Sequence, residues 1–342
     1  MKAVRIHTFG LDGLAMVDLA DPMEPKDKEI LVRLQAVSLN YRDLLMVKGL
    51  YNPDQALPLI PCSDGAGEVV AVGKAVQSFR PGDRVVGTFF QDWLAGPFEK
   101  KYGQSVLGGP LDGTLAEYIF LKEEGALPIP KNLSFEEAAT LPCAALTAWN
   151  GIVEEAALSP GQTVVVQGSG GVSLFSLQFA MACGAQVIFL SRSEEKIEKA
   201  KKLGAKEGIH ITKEKNWHKK VRELTEGRGA DVLINVLGGD LEESIKAVKH
   251  GGMICSIGIL IGSKAQIDVV SLLMRQAKIH GIYVGNRLMF EAMNRAITTL
   301  GIKPLIDTVF PFSQYKEAFL RLESGEHFGK IVLRLGDTSG GL

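Results

Sequence analysis

Cysteine is scarce and scattered. The four cysteines of the 342 residues, Cys62, Cys143, Cys183 and Cys255, include no close pair. That predicts a reducing cytosol and excludes both a disulfide framework and a CxxC-type metal knuckle. Neither sign of charge is in excess: Lys+Arg 38 against Asp+Glu 39 leaves a net charge of -1, so the electrostatic footprint of a general nucleic-acid binder is missing. No apolar run reaches the roughly 18 residues that would span a membrane. The first residues, Met1-Lys2-Ala3-Val4-Arg5-Ile6, enter an alternating pattern at once and lack the apolar core of a signal peptide. The six histidines (His7, His210, His218, His250, His280, His327) have no metal spacing. There is no internal repeat and no low-complexity segment. What is plentiful is apolar: hydrophobic residues make up 46% of the chain, ample for proper cores, and the length predicts two domains at about 150 residues each.

The rhythm changes along the chain. Residues 1–125 read as short strands joined by turns, among them Ile30-Leu31-Val32-Arg33-Leu34-Gln35-Ala36-Val37 and Gly67-Glu68-Val69-Val70-Ala71-Val72-Gly73. Arg80-Pro81-Gly82-Asp83-Arg84-Val85-Val86 is a Pro-Gly turn feeding another strand. Such runs predict a small closed or partly open β-barrel. Residues 89–113 read as a long irregular loop. From 126 to 296 strands alternate with helices. Near-continuous apolar strands fall at 163–167, 186–190, 231–235, 252–257 and 278–283, with a weaker one around Ile209, and helices at 172–181 and 193–203. Trp217-His218-Lys219-Lys220 reads as a surface helix. This alternation predicts an α/β fold with a doubly wound parallel sheet. Residues 297–342 return to strands, at 303–307 and 329–335, around a helix at 313–323 capped by Ser313; the tail 336–342 is expected to fray. The sheet domain, 126–296, is therefore expected to be inserted into a discontinuous barrel domain, 1–125 and 297–342.

The strongest chemical signal is Val164-Val165-Val166-Gln167-Gly168-Ser169-Gly170-Gly171-Val172-Ser173, a strand, a glycine turn and the start of a helix. Gly168 permits a tight turn, and Gly170 lets the backbone approach a pyrophosphate seated on the positive end of the helix. Ser173 stands where the third glycine of that fingerprint usually falls. The end of the second strand selects the cofactor. An NAD site usually carries an acid there, bonding the ribose hydroxyls. Here Ser191 and Arg192 end the strand and Lys196 follows. Hydrogen-bond donors and positive charge favour a 2′-phosphate, and so NADP(H). The alternative is that Arg192 and Lys196 complement Glu194, Glu195 and Glu198 on a solvated helix.

With these residues assigned, the chain resembles the medium-chain dehydrogenase/reductase superfamily, in its quinone-oxidoreductase-like and zinc-type alcohol-dehydrogenase-like branch. The resemblance covers nearly the whole chain. It rests on Leu39-Asn40-Tyr41-Arg42-Asp43, on Pro58 to Val69 with Ser63-Asp64-Gly65-Ala66-Gly67-Glu68, on Pro81-Gly82-Asp83-Arg84-Val85, on Leu141-Pro142-Cys143-Ala144-Ala145-Leu146-Thr147-Ala148-Trp149, on the glycine turn, and on His327-Phe328-Gly329-Lys330-Ile331-Val332. It implies a GroES-like β-barrel domain plus a Rossmann domain, with the nicotinamide in the cleft between them and a homodimer paired through residues 278–283.

The resemblance also raises the question of zinc. Family members with catalytic zinc hold it through a Cys, a His and a second Cys. Asn40 falls at the first of these positions, Ser63 at the second and Cys143 at the third. An amide, a hydroxyl and one thiol are not a credible zinc set, and residues 88–112, which match the structural zinc lobe, contain no cysteine. The expectation is an enzyme with no metal. Without a Lewis acid, hydride transfer relies on positioning and neutral donors, which suits a conjugated carbonyl or quinone better than a simple alcohol. Asn40, Tyr41 and Ser63 are the candidate catalytic residues; Arg42, Asp43 and Asp64 share their segments, and Arg42 with Asp43 could equally be a structural pair. Thr147 matches a position beside the nicotinamide. Leu237, Ile257 and Gly258 follow sheet strands and should line the crevice at their carboxyl ends. With Gly168, Ser169, Gly170, Gly171, Val172, Ser191, Arg192 and Lys196 they form the expected NADP(H) site. Asn286, in a turn resembling one near the nicotinamide, and Lys330, which could pair a phosphate or sit solvated on its strand, complete it. The expected activity is NADPH-dependent reduction of a quinone, enone or reactive carbonyl. The alternatives are an NADP-dependent alcohol dehydrogenase and a non-enzymatic NADPH-binding protein.

Overall fold

The computed structural model describes residues 1–239, 241–260 and 262–335; the tail expected to fray lies outside them. The chain divides into two compact units, Met1–Leu146 with Asn286–Leu342, and Thr147–Gly285. The sequence reading placed the divisions at 125/126 and 296/297. Hydrogen bonds explain the difference. Ala126–Pro128 pairs with Arg84–Gly87. The Arg287 guanidinium bonds the carbonyls of Glu124 and Ala126 at 2.6 and 2.7 Å. The amides of Arg287 and Leu288 bond the carbonyls of Trp93 and Leu94.

In the first unit β1 (Lys2–Ile6) and β2 (Leu14–Asp18) form an antiparallel pair. The main sheet uses β3 (Glu29–Leu39), β4 (Asp64–Val72), β5 (Arg84–Gly87), β6 (Tyr118–Lys122) and β7 (Ala126–Pro128). The second unit supplies β8 (Thr163–Gln167), β9 (Gln186–Ser191), β10 (Glu207–His210), β11 (Ala230–Asn235), β12 (Val248–Ser256) and β13 (Lys278–Gly281). The chain then returns to the first sheet with β14 (Ile306–Pro311) and β15 (Lys330–Arg334).

The first sheet has seven strands in the order β14-β15-β3-β4-β5-β7, with β6 paired to β3 off that path. The eleven-residue β3 is its axis. One edge pairs with β4 along its length, while the other is shared by β6 at the start and β15 at the end. Ile30, Val32 and Leu34 of β3 enter the core with Val69, Leu121, Ile331 and Leu333, closed by Phe319 and Leu322 from the helix Tyr315–Ser324. That helix begins later than the sequence reading had it. A tight turn, Phe312–Gln314, precedes it, and Gln314 rather than Ser313 stands at the cap. Residues 89–113 are less irregular than expected. They hold a short 3-10 turn, Lys100–Ser105, and a small core of their own, in which Trp93 meets Phe90, Phe98 and Tyr102 at 5.2–6.2 Å between ring centroids.

The second sheet is parallel throughout, in the order β10-β9-β8-β11-β12-β13. The chain starts at the centre, winds outward to β10, then crosses to β11. The reversal beside β8 opens a crevice at the carboxyl ends of the strands, where ligands bind in such sheets. Valines and isoleucines bury β8 and β11 completely, as a sheet covered on both faces requires. The segment read as a surface helix is Trp217–Leu224, and Trp217 is buried in this unit's core with Val221.

Candidate active site

The ends of three adjacent strands converge in the first unit. Antiparallel register sets Leu39 opposite Ile331 and Ser38 opposite Asp64. The end of β3, the start of β4 and the start of β15 therefore share one edge of the sheet. Asn40 leaves β3 there and caps the seven-residue helix Tyr41–Val47, its backbone N–H donating to Asp43 Oδ2 at 2.8 Å. Residues 1–125 had been read as strands and turns alone. The cap Asn40 followed by Asp43 three residues on is the local signal that identifies this helix.

Four buried charges meet at this edge, Arg42, Asp43, Asp64 and Lys330. The Lys330 ammonium donates to the Leu39 carbonyl at 2.7 Å and to Asn40 Oδ1 at 2.5 Å. Arg42 donates to Asp43 Oδ1 and the Leu107 carbonyl at 3.2 Å, and stacks 5.0 Å from the ring centroids of Tyr51 and Phe89. It is the structural pair weighed from sequence; the Tyr51 contact was not anticipated. The Asp64 carboxylate accepts from Ser63 Oγ at 2.7 Å and from the Cys143 amide at 3.2 Å. Burial pushes the Asp43 carboxyl up to about 6, against the pull of Arg42. Burial also raises Asp64, opposed chiefly by Lys330 and then by the amide of Asn40 beside it and the hydroxyl of Ser63. The Cys143 thiol is driven far above the usual cysteine value by burial, with Asp64 adding to the effect, so it stays protonated near neutrality.

These contacts refine the sequence assignments. Ser63 is wholly buried and its proton points to Asp64, so toward a ligand it offers lone pairs rather than a donor. Tyr41, at the first helical position, is 36% exposed. Asn40 is 7% exposed, with its amide beside the Asp64 carboxylate. Lys330 is not solvated: it is 3% exposed, and its ammonium bonds Leu39 and Asn40. Asn286 is the cap of the helix Arg287–Leu300, accepting from the Met289 amide at 3.0 Å and donating to the Gly96 carbonyl. Its amide is therefore occupied within the first unit. Cys62, between Pro61 and Ser63, holds φ 72, a strained value for a residue with a side chain. A Cβ on Gly113 would lie 2.0 Å from the Cys62 carbonyl oxygen, so only glycine lets that loop press against the Ser63 segment.

In the second unit β8 ends at Gln167, and Gly168 turns with φ 77. A Cβ there would crowd Val236 Cγ2 at 3.3 Å. Gly170 stands at the cap of the helix Gly171–Ala182, which has no side-chain cap, so the first amides around Gly171 and Val172 are left for an anion. Ser173 fits the third-glycine position because its hydroxyl turns inward to the Gln167 carbonyl at 2.6 Å. Ser169 lies in the turn. At the end of β9 Ser191 is buried and Arg192 exposed. Of the glutamates offered as partners for Arg192 and Lys196, Glu194 pairs with Lys213 and Glu195 with Lys199, both at 2.6 Å, and Glu198 with Lys201 at 3.9 Å, while Lys196 also acts on Glu195. Leu237 follows β11, and the amides of Ile257 and Gly258, just past β12, bond the Asn235 carbonyl at the end of β11. Thr147, buried in the helical turn Leu146–Trp149, opens this unit. The uncapped helix, the glycine turn and the adjacent strand ends fit a dinucleotide. The amide, hydroxyl and protonated thiol of Asn40, Ser63 and Cys143 do not fit zinc, and a lysine ammonium already sits on the Asn40 oxygen. Among the described residues no group of three or more His, Cys, Asp or Glu could hold a metal ion, and no helix is long and apolar enough to cross a membrane.

A GroES-like unit joined to a six-stranded Rossmann sheet defines a two-domain dehydrogenase/reductase, and the chain belongs to the medium-chain dehydrogenase/reductase superfamily. Residues 26–131 match the alcohol dehydrogenase GroES-like domain and residues 171–299 the zinc-binding dehydrogenase family. A zinc-type alcohol dehydrogenase-like protein of Schizosaccharomyces pombe is 44% identical over 95% of this chain and 96% of its own length. A 2-methylene-furan-3-one reductase of Solanum lycopersicum is 33% identical over 97% of this chain and 79% of its own. A crystal structure from Sinorhizobium meliloti 1021, described as an alcohol dehydrogenase, superposes with a TM-score of 0.92 at 42% identity, covering 98% of each chain. The protein is thus an oxidoreductase acting on small molecules with a nicotinamide cofactor.

Proposed function

We propose that the protein uses NADPH to reduce a conjugated carbonyl, an enone or a quinone, without catalytic zinc. The observation that carries the metal-free reading is the Lys330 ammonium on Asn40 Oδ1, at the first position where the family's zinc enzymes hold their metal. A divalent cation would have to displace a buried positive charge and then accept poor ligands. The bound cofactor would supply the hydride. The chain's own part is to hold it on the uncapped helix Gly171–Ala182 and to meet charge developing on the substrate oxygen with Asn40 Nδ2 and the Tyr41 hydroxyl. Conjugation spreads that charge, and a proton then follows from Tyr41 or water. Alcohol–aldehyde interconversion with NADP is the second reading, favoured by the name of the S. pombe relative. A turnover screen with NADPH against enones, quinones, aldehydes and alcohols decides between them: faster turnover of aldehydes and alcohols would sink the first reading.

Metal removal gives a separate check. Prolonged chelation should leave turnover intact, and elemental analysis should find well under one zinc per chain. An enzyme inactivated by chelation and restored by zinc would overturn the metal-free reading.

We also propose a homodimer built on β13. Among the described residues this edge strand pairs only with β12, and the neighbouring helix Val269–Arg275 exposes Val270 at 66%, Leu273 at 68% and Met274 at 71%. An unpaired edge beside an exposed apolar helix invites a second copy. Light scattering at micromolar concentration should give twice the chain mass; a monomer would refute the dimer.

A further inference from the structure

We propose that a basic rim around the end of β10 selects the phosphorylated cofactor by raising its rate of capture. This rests on the reading of the protein as an NADPH enzyme, and it adds a kinetic device to the contacts of Ser191 and Arg192. Residues 192–220 carry ten basic and five acidic side chains, a net of +5, while the rest of the chain carries −6. Positive charge is thus gathered on one stretch of a chain whose total is -1. The fold sets more than half of those bases at the dinucleotide crevice. β9 and β10 are parallel neighbours, and His210 stands in register with Ser191. The segment after β10 is tied to the same place: the Ile211 amide donates to the Ser191 carbonyl at 3.0 Å, and Lys213 Nζ reaches Glu194 Oε1 at 2.6 Å. Residues 192–196 and 211–220 therefore follow the carboxyl ends of the two strands. They hold six bases, Arg192, Lys196, Lys213, Lys215, Lys219 and Lys220, against Glu194, Glu195 and Glu214.

Not all of that charge is neutralised locally. Lys213 pairs with Glu194 and Lys220 with Glu223. Arg192, Lys215 and Lys219 are exposed and, among the described residues, form no ion pair with a carboxylate. The helix Trp217–Leu224 starts in the rim with no acid in its first turn, so its amide dipoles add to the same sign. Trp217, buried in the core, holds that start in place. Exposed charges contribute little to a bound contact, but a field of one sign at a cleft raises the encounter rate of an oppositely charged ligand. The effect grows with the ligand's charge. The 2′-phosphate adds about −2 to the charge of about −2 on the pyrophosphate, so the rim acts on NADPH about twice as strongly as on NADH before either touches the protein. Selection by the rim then appears in kon, whereas bonds made by Ser191 and Arg192 appear in koff.

Stopped-flow binding, followed by nicotinamide fluorescence at about pH 8 where the phosphate is a dianion, separates the two rates without any turnover. In about 20 mM salt, Lys215→Glu combined with Lys219→Glu should lower kon about tenfold for NADPH and about threefold for NADH, with koff within about twofold of wild type for both. In about 0.5 M salt the variant and the wild type should converge. Lys215→Arg with Lys219→Arg, which keeps the charge, should match wild type at every salt concentration. A change confined to koff would make the two lysines direct ligands and overturn the proposal, as would an unchanged kon or an equal fall for the two cofactors. Should the charge-reversed chain fail to fold, Lys215→Gln with Lys219→Gln should lower kon for NADPH about threefold, and the same outcomes decide. A wild type that binds NADPH no more tightly than NADH would refute the assignment of Ser191 and Arg192, while the rim stands or falls on the on-rates of the variants.

Discussion

Exchanging Ser191 for Asp and Arg192 for Ala is expected to reverse the cofactor preference, lowering kcat/KM with NADPH by about a hundredfold or more and improving use of NADH. Hydrogen bonds to a charged phosphate contribute about 1.5–3 kcal/mol each, and the exchange removes a cation as well as adding an anion facing the 2′-phosphate. The positions suit the role. Ser191 ends β9 next to β8 and its glycine turn, and its hydroxyl accepts from the Ser193 amide at 3.2 Å. An aspartate there can keep that bond, so the sheet should tolerate it. Arg192 is exposed, and the three glutamates after it are paired with lysines instead. Side-by-side kinetics with both cofactors measure the effect. A wild-type enzyme that uses NADH as well as NADPH would refute the assignment of Ser191 and Arg192.

The nucleotide half of the protein was legible because its signals are local. A valine strand, Gly168, Gly170 and a helix lie within a dozen residues, and a parallel sheet declares itself by continuous apolar runs. The candidate site of the first unit was legible only as a set of positions. Lys330 meets Asn40 across 290 residues of sequence, a contact created by the register of β15 on β3. No spacing rule carries that information, so Lys330 read as a phosphate partner or a solvated strand residue. The helix-cap role of Asn286 was missed for a related reason. A Gly-Asn-Arg turn and a helix cap look alike in sequence, and only the Met289 amide on its side chain separates them. The 89–113 segment was judged by its glycines and prolines, while Phe90, Trp93, Phe98 and Tyr102, which pack together, were interspersed among them.

Tyr41→Phe should lower turnover on a conjugated carbonyl about a hundredfold if its hydroxyl is the dominant donor to the substrate oxygen, since one such donor is typically worth about 10²–10³ in rate. Asn40→Ala should produce a loss of the same kind, while the KM for NADPH barely moves in either variant. The separation follows from the architecture: Asn40 and Tyr41 belong to the first unit, whereas the glycine turn, Ser191 and Arg192 belong to the second. The two variants differ in what else they disturb. Tyr41 is partly exposed and starts its helix, so removing its hydroxyl should leave the melting temperature nearly unchanged. Asn40 caps that helix and gives Lys330 an acceptor. Its loss should cost about 1–3 kcal/mol for the buried ammonium left short of a partner, while the backbone bond to Asp43 survives in alanine. Turnover per folded molecule, with melting curves run in parallel, therefore distinguishes chemistry from stability. Full activity in both variants would move the donor role to water or another residue, and loss of NADPH binding in both would make their role structural.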